Sequence, residues 1–185
     1  GLPYLMRAAA RLPEEVQVVL CAGAPDTPEI KAEVEGLLAD LRAQRDGVVW
    51  IPEMLPRSEV IALLTASTVF ACPSVYEPLG IVNLEAMACE LPVVATATGG
   101  IPEVVVPGET GWLVPIEQVQ DGTGTPVDPE KFVGDLADAL TNAVSDRERA
   151  RTMGLAGRKR AVEQFSWESI GDKTMAVYQD VLGRS

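Results

Sequence analysis

Histidine is missing from this sequence, and cysteine and aromatic residues are scarce. The 185 residues contain no His and three Cys, and only 5% of them are Phe, Trp or Tyr. Without His and without a close pair of Cys, the chain lacks the ligands of an ordinary zinc site. We therefore expect neither a metal ion nor a cofactor.

Positive charge is also in deficit. Lys and Arg number 15 against 27 Asp and Glu, which gives a net charge of −12. Nucleic acids and anionic membranes bind basic patches, so this balance argues against both as partners. The one basic cluster lies in a predicted helix at 146–164. It is predicted to be a solvated helix face rather than a glycan or partner site.

Long apolar runs are missing as well. No stretch reaches the roughly 18 apolar residues that span a bilayer, and we expect no signal peptide. Cys21, Cys72 and Cys89 are odd in number and lie in apolar surroundings, which predicts reduced core thiols in a cytoplasmic protein. A chain of this length can bury one core, so residues 1–185 are expected to form a single domain.

The chain does have apolar strands that alternate with amphipathic helices. Strands are predicted at 16–21, 48–51, 68–72, 92–96 and 112–114. This alternation is typical of an α/β fold with a Rossmann-like, doubly wound parallel sheet. Residues 115–128 are polar and are predicted to be a mobile loop without assignable chemistry. The predicted helix caps are Thr27, Ser58, Asp128 and Ser166.

The strongest chemical signal lies at 74–88, directly after a predicted buried strand. Pro78 fits the first turn of a helix, and Gly80 would let a ligand approach the backbone closely. The free N–H groups at such a helix start suit an anion, most often a phosphate.

Two carboxylates, Glu77 and Glu85, bracket this turn with seven residues between them. Glu77 is placed on the loop, and Glu85 in a helix whose other faces are apolar, which predicts a buried helix. A buried carboxylate needs a partner, and a sugar diol can donate two hydroxyl hydrogen bonds to it. From the spacing alone, an equal alternative is that Glu85 lies on a hydrated side and Glu77 only caps the helix.

The blocks Glu77–Gly80, Glu85–Ala88, Pro92–Ala95 and Gly99–Glu103 together resemble a known family. They are similar to the C-terminal donor-binding domain of the family 4 retaining glycosyltransferases of GT-B fold, whose signature is a Glu-x7-Glu pair. Stretches 21–29 and 48–54 bring the resemblance closest to the actinobacterial glycogen synthase or maltose-1-phosphate synthase type. The resemblance covers nearly the whole chain.

The resemblance implies a hexosyltransferase that moves glucose from ADP-glucose to an α-glucan or to glucose 1-phosphate, as in glycogen synthesis. Glu77 would be the catalytic residue that favours the cationic sugar, and Glu85 would hold the ribose hydroxyls of the nucleotide-sugar donor. The other implied donor-binding residues are Leu79, Gly80, Ile81 and Val82 at the phosphate and sugar oxygens, Ile51 and Met54 at the base, and Gly99 and Gly100 beside the sugar. Two of these roles have alternatives. Met54 could equally pack on the following helix, and a Gly-Gly turn by itself is weak evidence for a sugar site.

The resemblance also implies parts that this sequence does not contain. These are an N-terminal acceptor domain, a first strand, and an Arg and a Lys that hold the donor's diphosphate. Without that strand, the strands at 16–21 and 68–72 must pair directly, recruit another chain or leave open edges. We expect self-association, weak donor binding and no catalysis by this chain alone. The last helix, which crosses to the N-terminal domain in the family, is expected to expose an apolar face.

Two other classes stay open at this stage. One is a non-hydrolysing sugar-nucleotide epimerase of the same architecture, although it would usually use titrating side chains from both domains. The other is a binding-only α/β module. The geometry of Glu77 and Glu85 separates them, because a donor site requires both to face one crevice beyond the strand ends. The sequence does not distinguish ADP-glucose from UDP-glucose as the donor, because backbone groups would make most of the contacts with the base.

Overall fold

Helices and strands alternate along the chain in a computed structural model, which describes residues 1–21, 23 and 27–183. The strands are β1 (Val18–Leu20), β2 (Val48–Trp50), β3 (Phe70–Cys72), β4 (Val93–Thr96) and β5 (Gly111–Val114). The helices are α1 (Leu2–Ala9), α2 (Pro28–Gln44), α3 (Arg57–Ala66), α4 (Ile81–Ala88), α5 (Ile101–Val104), α6 (Pro129–Ser145), α7 (Arg147–Phe165) and α8 (Trp167–Val181).

Every strand pair is parallel, as the alternation predicted, but the strands form two separate sheets. One contains β1 and β2, and the other has the order β3-β4-β5. The registers align Val18 with Val48, Phe70 with Val93 and Val93 with Gly111. Within the described ranges β1 and β3 do not pair with each other. Direct pairing of these two strands, one of the three expected arrangements, is therefore wrong, and within this chain both strands keep an open edge.

A cavity of about 600 Å³ separates β1 from β3. Its walls are both strands and apolar side chains of α3 and α6. The apolar positions of α3 predict a helix packed inward through Val60, Ile61, Leu63 and Leu64, and the cavity explains why that packing is incomplete. Val60, Leu63 and Leu64 line the cavity and are only half-buried, while Ile61 is exposed. No residue of α3 is fully buried, because its inward face meets open space.

The strand β4 is buried along its whole length and divides two apolar clusters. Val93 and Ala95 face the cluster that includes residues of α4, α5 and α7. Val94 faces the cluster built by α1, β5 and α6. A continuous apolar run of this kind is typical of a central parallel strand covered on both faces. A third cluster packs α1 against β1 and α2.

Three of the four predicted helix caps are confirmed. Thr27, Asp128 and Ser166 each accept a hydrogen bond of 3.0–3.2 Å from the backbone N–H three residues later. The prediction for Ser58 is wrong. Pro56 precedes the first residue of α3, so Ser58 lies within its first turn rather than before it.

The segment predicted as a mobile loop is an antiparallel turn, which we call the hairpin (residues 117–127). Val119 N donates to Thr125 O at 2.9 Å, and Val127 N donates to Glu117 O at 2.8 Å. Most of its polar residues are exposed, and several of them also hydrogen-bond within the turn. The carboxylate of Asp121 accepts from the backbone N–H and the hydroxyl of Thr123 at 2.9 and 2.6 Å. Such a local side-chain bond is what Asp offers in a turn.

The basic cluster of α7 is only partly a solvated face. Arg158 donates to Ala88 O at 2.6 Å, at the end of α4. Arg160 donates to Glu103 O at 2.7 Å and Val104 O at 2.9 Å, at the end of α5. Cations at these positions complement the negative ends of the two helix dipoles. The cations that face solvent as predicted are Arg147, Arg151 and Lys159.

The last helix, α8, has no buried residue and exposes apolar side chains, as expected. Cys72 is buried and Cys89 half-buried, but Cys21 is exposed, so its assignment to the core was wrong. Cys21 follows β1 at the edge of the cavity, where neighbouring strands do not cover it. None of the described helices is long and apolar enough to cross a membrane.

Candidate active site

The loop between β3 and α4 ends in a left-handed glycine. Gly80 has φ +88° and precedes the first residue of α4. A side chain at this position would be strained by the left-handed backbone, and its Cβ would lie 2.4 Å from Nδ2 of Asn83, which would have to move. The helix begins at Ile81, three residues after Pro78, which therefore lies in the loop and not in the predicted first turn.

The start of α4 presents unpaired amides. Within the described ranges, no group accepts a hydrogen bond from the N–H of Leu79, Gly80, Ile81 or Val82. The next amide, of Asn83, donates to Gly80 O at 2.9 Å. Ile81 and Val82 are 62% and 45% exposed. Free N–H groups together with the positive end of the helix dipole suit an anionic oxygen.

The glycine turn after β4 holds the loop that carries Glu77. Gly100 N donates to Glu77 O at 3.0 Å. A Cβ on Gly99 would lie 1.8 Å from Glu77 O, and one on Gly100 would lie 2.3 Å from Pro78 O. The Gly-Gly pair is therefore required by the contact between two backbones, in addition to any role beside a sugar.

The side chain of Glu77 is half-buried and faces Ser74. Ser74 Oγ donates to Glu77 Oε2 at 3.4 Å. Upstream in the same loop, Val75 O accepts a 2.6 Å hydrogen bond from Nε2 of Gln118 in the hairpin. Gln118 could not be identified from the sequence, because its partner lies 43 residues away and the hairpin resembles a loop in composition.

Glu85 is exposed, and the prediction that α4 is buried all round is wrong. The buried stripe of α4 consists of Asn83, Ala86 and Met87, and Glu85 lies on the opposite side. Glu85 lines the end of the cavity that opens at the carboxyl ends of the strands, next to Ser74. Glu77 is not a wall residue of the cavity, but Ser74 connects it to that wall. The roles assigned to both carboxylates stay predictions.

The loop after β2 faces the same end of the cavity. Ile51 N donates to Leu20 O at 2.9 Å, which leaves the carbonyl of Ile51 as the backbone group available to a base. Met54 lines the cavity and is 90% exposed, so it does not pack on α3. Leu55 is half-buried at the cavity wall.

Asn83 is a further polar residue that the sequence did not single out. It is fully buried below Gly80, and neither atom of its amide has a hydrogen-bond partner among the described residues. Its apolar sequence neighbours do not indicate burial, since a single Asn in such a helix is usually placed on its hydrated side.

Comparison with known proteins places this arrangement in a family. The sequence model described as "Glycosyl transferases group 1" matches residues 1–160. The chain belongs to this family. An alpha-maltose-1-phosphate synthase of Mycolicibacterium smegmatis is 50% identical to it over 181 residues, which are 98% of this chain and 45% of that protein. The resemblance in the sequence, and with it the enzyme class of glycosyltransferase, is confirmed at the level of the family.

Solved structures of group 1 glycosyl transferases and related enzymes confirm the predicted fold. The sucrose-phosphate synthase from Thermosynechococcus elongatus superposes with a TM-score of 0.79 at 33% identity, over 100% of this chain and 43% of that one. The C-terminal domain of a glycosyl transferase group 1 family protein from Francisella tularensis has a TM-score of 0.71 at 22% identity, over 90% and 80%. The chain spans less than half the length of the curated relatives it matches.

Proposed function

We propose that residues 1–185 are the donor-binding domain of a two-domain retaining glycosyltransferase. It transfers glucose from ADP-glucose to an α-glucan or to glucose 1-phosphate. The single observation that carries this proposal is the unpaired amide cluster at the start of α4, next to a Glu77 that is held from two sides. Family membership and the 50% identity to a maltose-1-phosphate synthase support the choice of donor and acceptor.

The amides and Glu77 match the charges that develop in such a transfer. When the nucleoside diphosphate leaves, negative charge grows on its oxygens and positive charge grows on the sugar. The N–H groups of residues 79–82 stabilise the first charge, and the carboxylate of Glu77 stabilises the second. Glu77 acts through its charge and its hydrogen bonds to sugar hydroxyls, and no covalent intermediate with the protein is proposed.

The nucleoside would lie at the cavity end between the loops after β2 and β3. Glu85 is exposed there and can accept two hydrogen bonds from the ribose hydroxyls. The carbonyl of Ile51 and the side chain of Met54 would contact the base. The donor would not fill most of the cavity, because the rest of its lining consists of strand edges and apolar side chains of α1, α3 and α6.

The diphosphate needs cations that this cavity does not supply. Among the described residues that line it there is no Lys or Arg, while Glu53 and Glu85 are both present. We propose that cations outside residues 1–185 neutralise the diphosphate, and that a separate domain binds the acceptor. The domain alone is then expected to bind donor weakly and to catalyse no transfer.

The proposal is tested with this chain joined to its N-terminal domain in one polypeptide. The protein is incubated with ADP-glucose or UDP-glucose, each with glucose 1-phosphate or a maltooligosaccharide, and the anomer of the product is followed by NMR. Transfer from ADP-glucose with an α-linked product is expected. Bound donor without transfer to either acceptor would contradict the proposal and favour the epimerase alternative.

A further inference from the structure

The hairpin packs against the loop that carries Glu77. Nε2 of Gln118 donates to Val75 O at 2.6 Å and to Gly124 O at 2.8 Å, so one amide group joins the loop to the far side of the hairpin. Gly124 has φ +74° and fits closely there, since a Cβ would lie 3.1 Å from Val75 O. The contact is therefore built from both strands of the hairpin.

Hydrogen bonds fix the loop at two carbonyl groups, one on either side of Tyr76. Val75 O accepts from Gln118 at 2.6 Å and from the hydroxyl of Thr98 at 3.5 Å, and Glu77 O accepts from the N–H of Gly100. Tyr76 between them is 80% exposed and adds little packing. The backbone that orients the Glu77 side chain thus depends on these two anchors, which come from different parts of the chain.

The tip of the hairpin is closed by its own side-chain hydrogen bonds. Asp121 bonds both the N–H and the hydroxyl of Thr123, and that hydroxyl lies 2.8 Å from the hydroxyl of Thr125. A functional side chain is held more accurately when its supporting residues are themselves fixed by hydrogen bonds.

We propose that Gln118 is a positioning residue for Glu77, and that the hairpin sets the orientation of the catalytic carboxylate through the carbonyl of Val75. This inference rests on the proposed function of Glu77. The chemistry of Gln118 is specific, because two carbonyl oxygens require two N–H donors on one neutral group, which an amide supplies. A carboxylate in its place would face both oxygens without a proton to donate.

The test compares Gln118→Ala and Gln118→Glu in the two-domain enzyme, with Gln120→Glu as the matched control. Gln120 is exposed on the same hairpin, and its Nε2 donates to Gln118 O at 3.2 Å and not to Val75 O. Its replacement therefore adds the same charge and also removes an amide donor, but it leaves the bond from Gln118 to Val75 O in place. Gln118→Ala is expected to lower kcat roughly tenfold, with KM for the donor within about twofold. Gln118→Glu is expected to lose activity at neutral pH and to recover it in part, relative to Gln120→Glu, as the pH falls, because the protonated carboxyl can donate to one of the two carbonyl oxygens.

A double-variant cycle separates this inference from the proposed function. In a Glu77→Ala background, Gln118→Ala should cause no further loss of kcat. An unchanged kcat in Gln118→Ala, or a full additional loss in the Glu77→Ala background, would overturn the positioning role. If Gln118→Ala unfolds the domain, the pH profile of Gln118→Glu decides, and a profile parallel to that of Gln120→Glu overturns it. If Glu77→Ala itself retains transfer, the proposed function fails, whatever Gln118 does.

Discussion

Gly100 donates its backbone N–H to the carbonyl oxygen of Glu77 at 3.0 Å and joins the turn after β4 to the loop after β3. This bond is possible because the two backbones are in contact, with no side chain between them. The placement of the candidate catalytic carboxylate therefore depends on a neighbouring glycine turn as much as on its own loop.

Gly99→Ala is expected to damage both stability and transfer. Gly99 has φ +51°, and an added Cβ would lie 1.8 Å from Glu77 O, so the turn or the loop must move. We expect a loss of about 2–4 kcal/mol in the free energy of unfolding, from left-handed strain plus overpacking. Denaturant unfolding of the isolated domain measures it.

The control for this variant is Gly108→Ala. Gly108 has φ +81° but nothing lies within 4 Å of its added Cβ, so it carries the backbone strain without the contact. Gly108→Ala should lower the free energy of unfolding by only about 1–2 kcal/mol and leave the transfer activity unchanged. Equal losses in the two variants would show that the contact with Glu77 is not tight.

Glu85→Gln is expected to weaken donor binding without lowering kcat for bound donor. The carboxylate lines the cavity end where the ribose is proposed to lie, and a neutral amide accepts weaker hydrogen bonds from its hydroxyls. The Kd for ADP should rise about tenfold by calorimetry. Glu163→Gln on the exposed side of α7 is the control, and a Kd that changes equally in both variants would count against the ribose role.

The isolated domain is expected to self-associate through its open strand edges. Val18 N and Leu20 O bond to residues next to β2, so the backbone of Val19 between them points to the cavity edge of the strand. Free edges of this kind pair with other chains. Light scattering should show a species larger than a monomer, and Val19→Pro should shift it toward the monomer. A clean monomer of the unchanged chain would contradict this expectation.

The hairpin turn is expected to loosen in acid. Hydrogen bonds from the hydroxyl and N–H of Thr123 lower the pKa of Asp121. Because the folded-state pKa is depressed, the stabilising carboxylate form is fully present above the ordinary pKa of Asp and is lost as the pH falls through the lowered value. NMR titration of the Thr123 amide checks this, and Asp121→Asn should abolish the transition. An amide shift that persists in that variant would assign the titration to another group.

Local patterns predicted much of the fold. Short apolar runs between the helices predicted all five strands of the described chain. A Ser, Thr or Asp at the expected start of a helix, in two cases directly before Pro, predicted the caps at Thr27, Asp128 and Ser166. These features are set within a few residues of each other, so the sequence carries them directly. Ser58 was misplaced because α3 begins one residue after a proline.

Long-range contacts could not be predicted in the same way. Gln118 reaches Val75, and Arg158 reaches the end of α4, across 43 and 70 residues. Each looked like an ordinary surface residue beside its own neighbours. Glu85 was expected to be buried because its helix is apolar, but burial follows the stripe that faces the sheet, and Glu85 is not on it.

The most direct test of the proposed mechanism is the turnover of Glu77→Ala in the two-domain enzyme. The carboxylate is proposed to stabilise the sugar's positive charge only as the donor bond breaks. Its removal should therefore lower kcat for transfer from ADP-glucose by about 10²–10³, with KM for the donor nearly unchanged and Glu163→Ala fully active. A Glu77→Ala variant that transfers glucose at the rate of the unchanged enzyme would contradict the account.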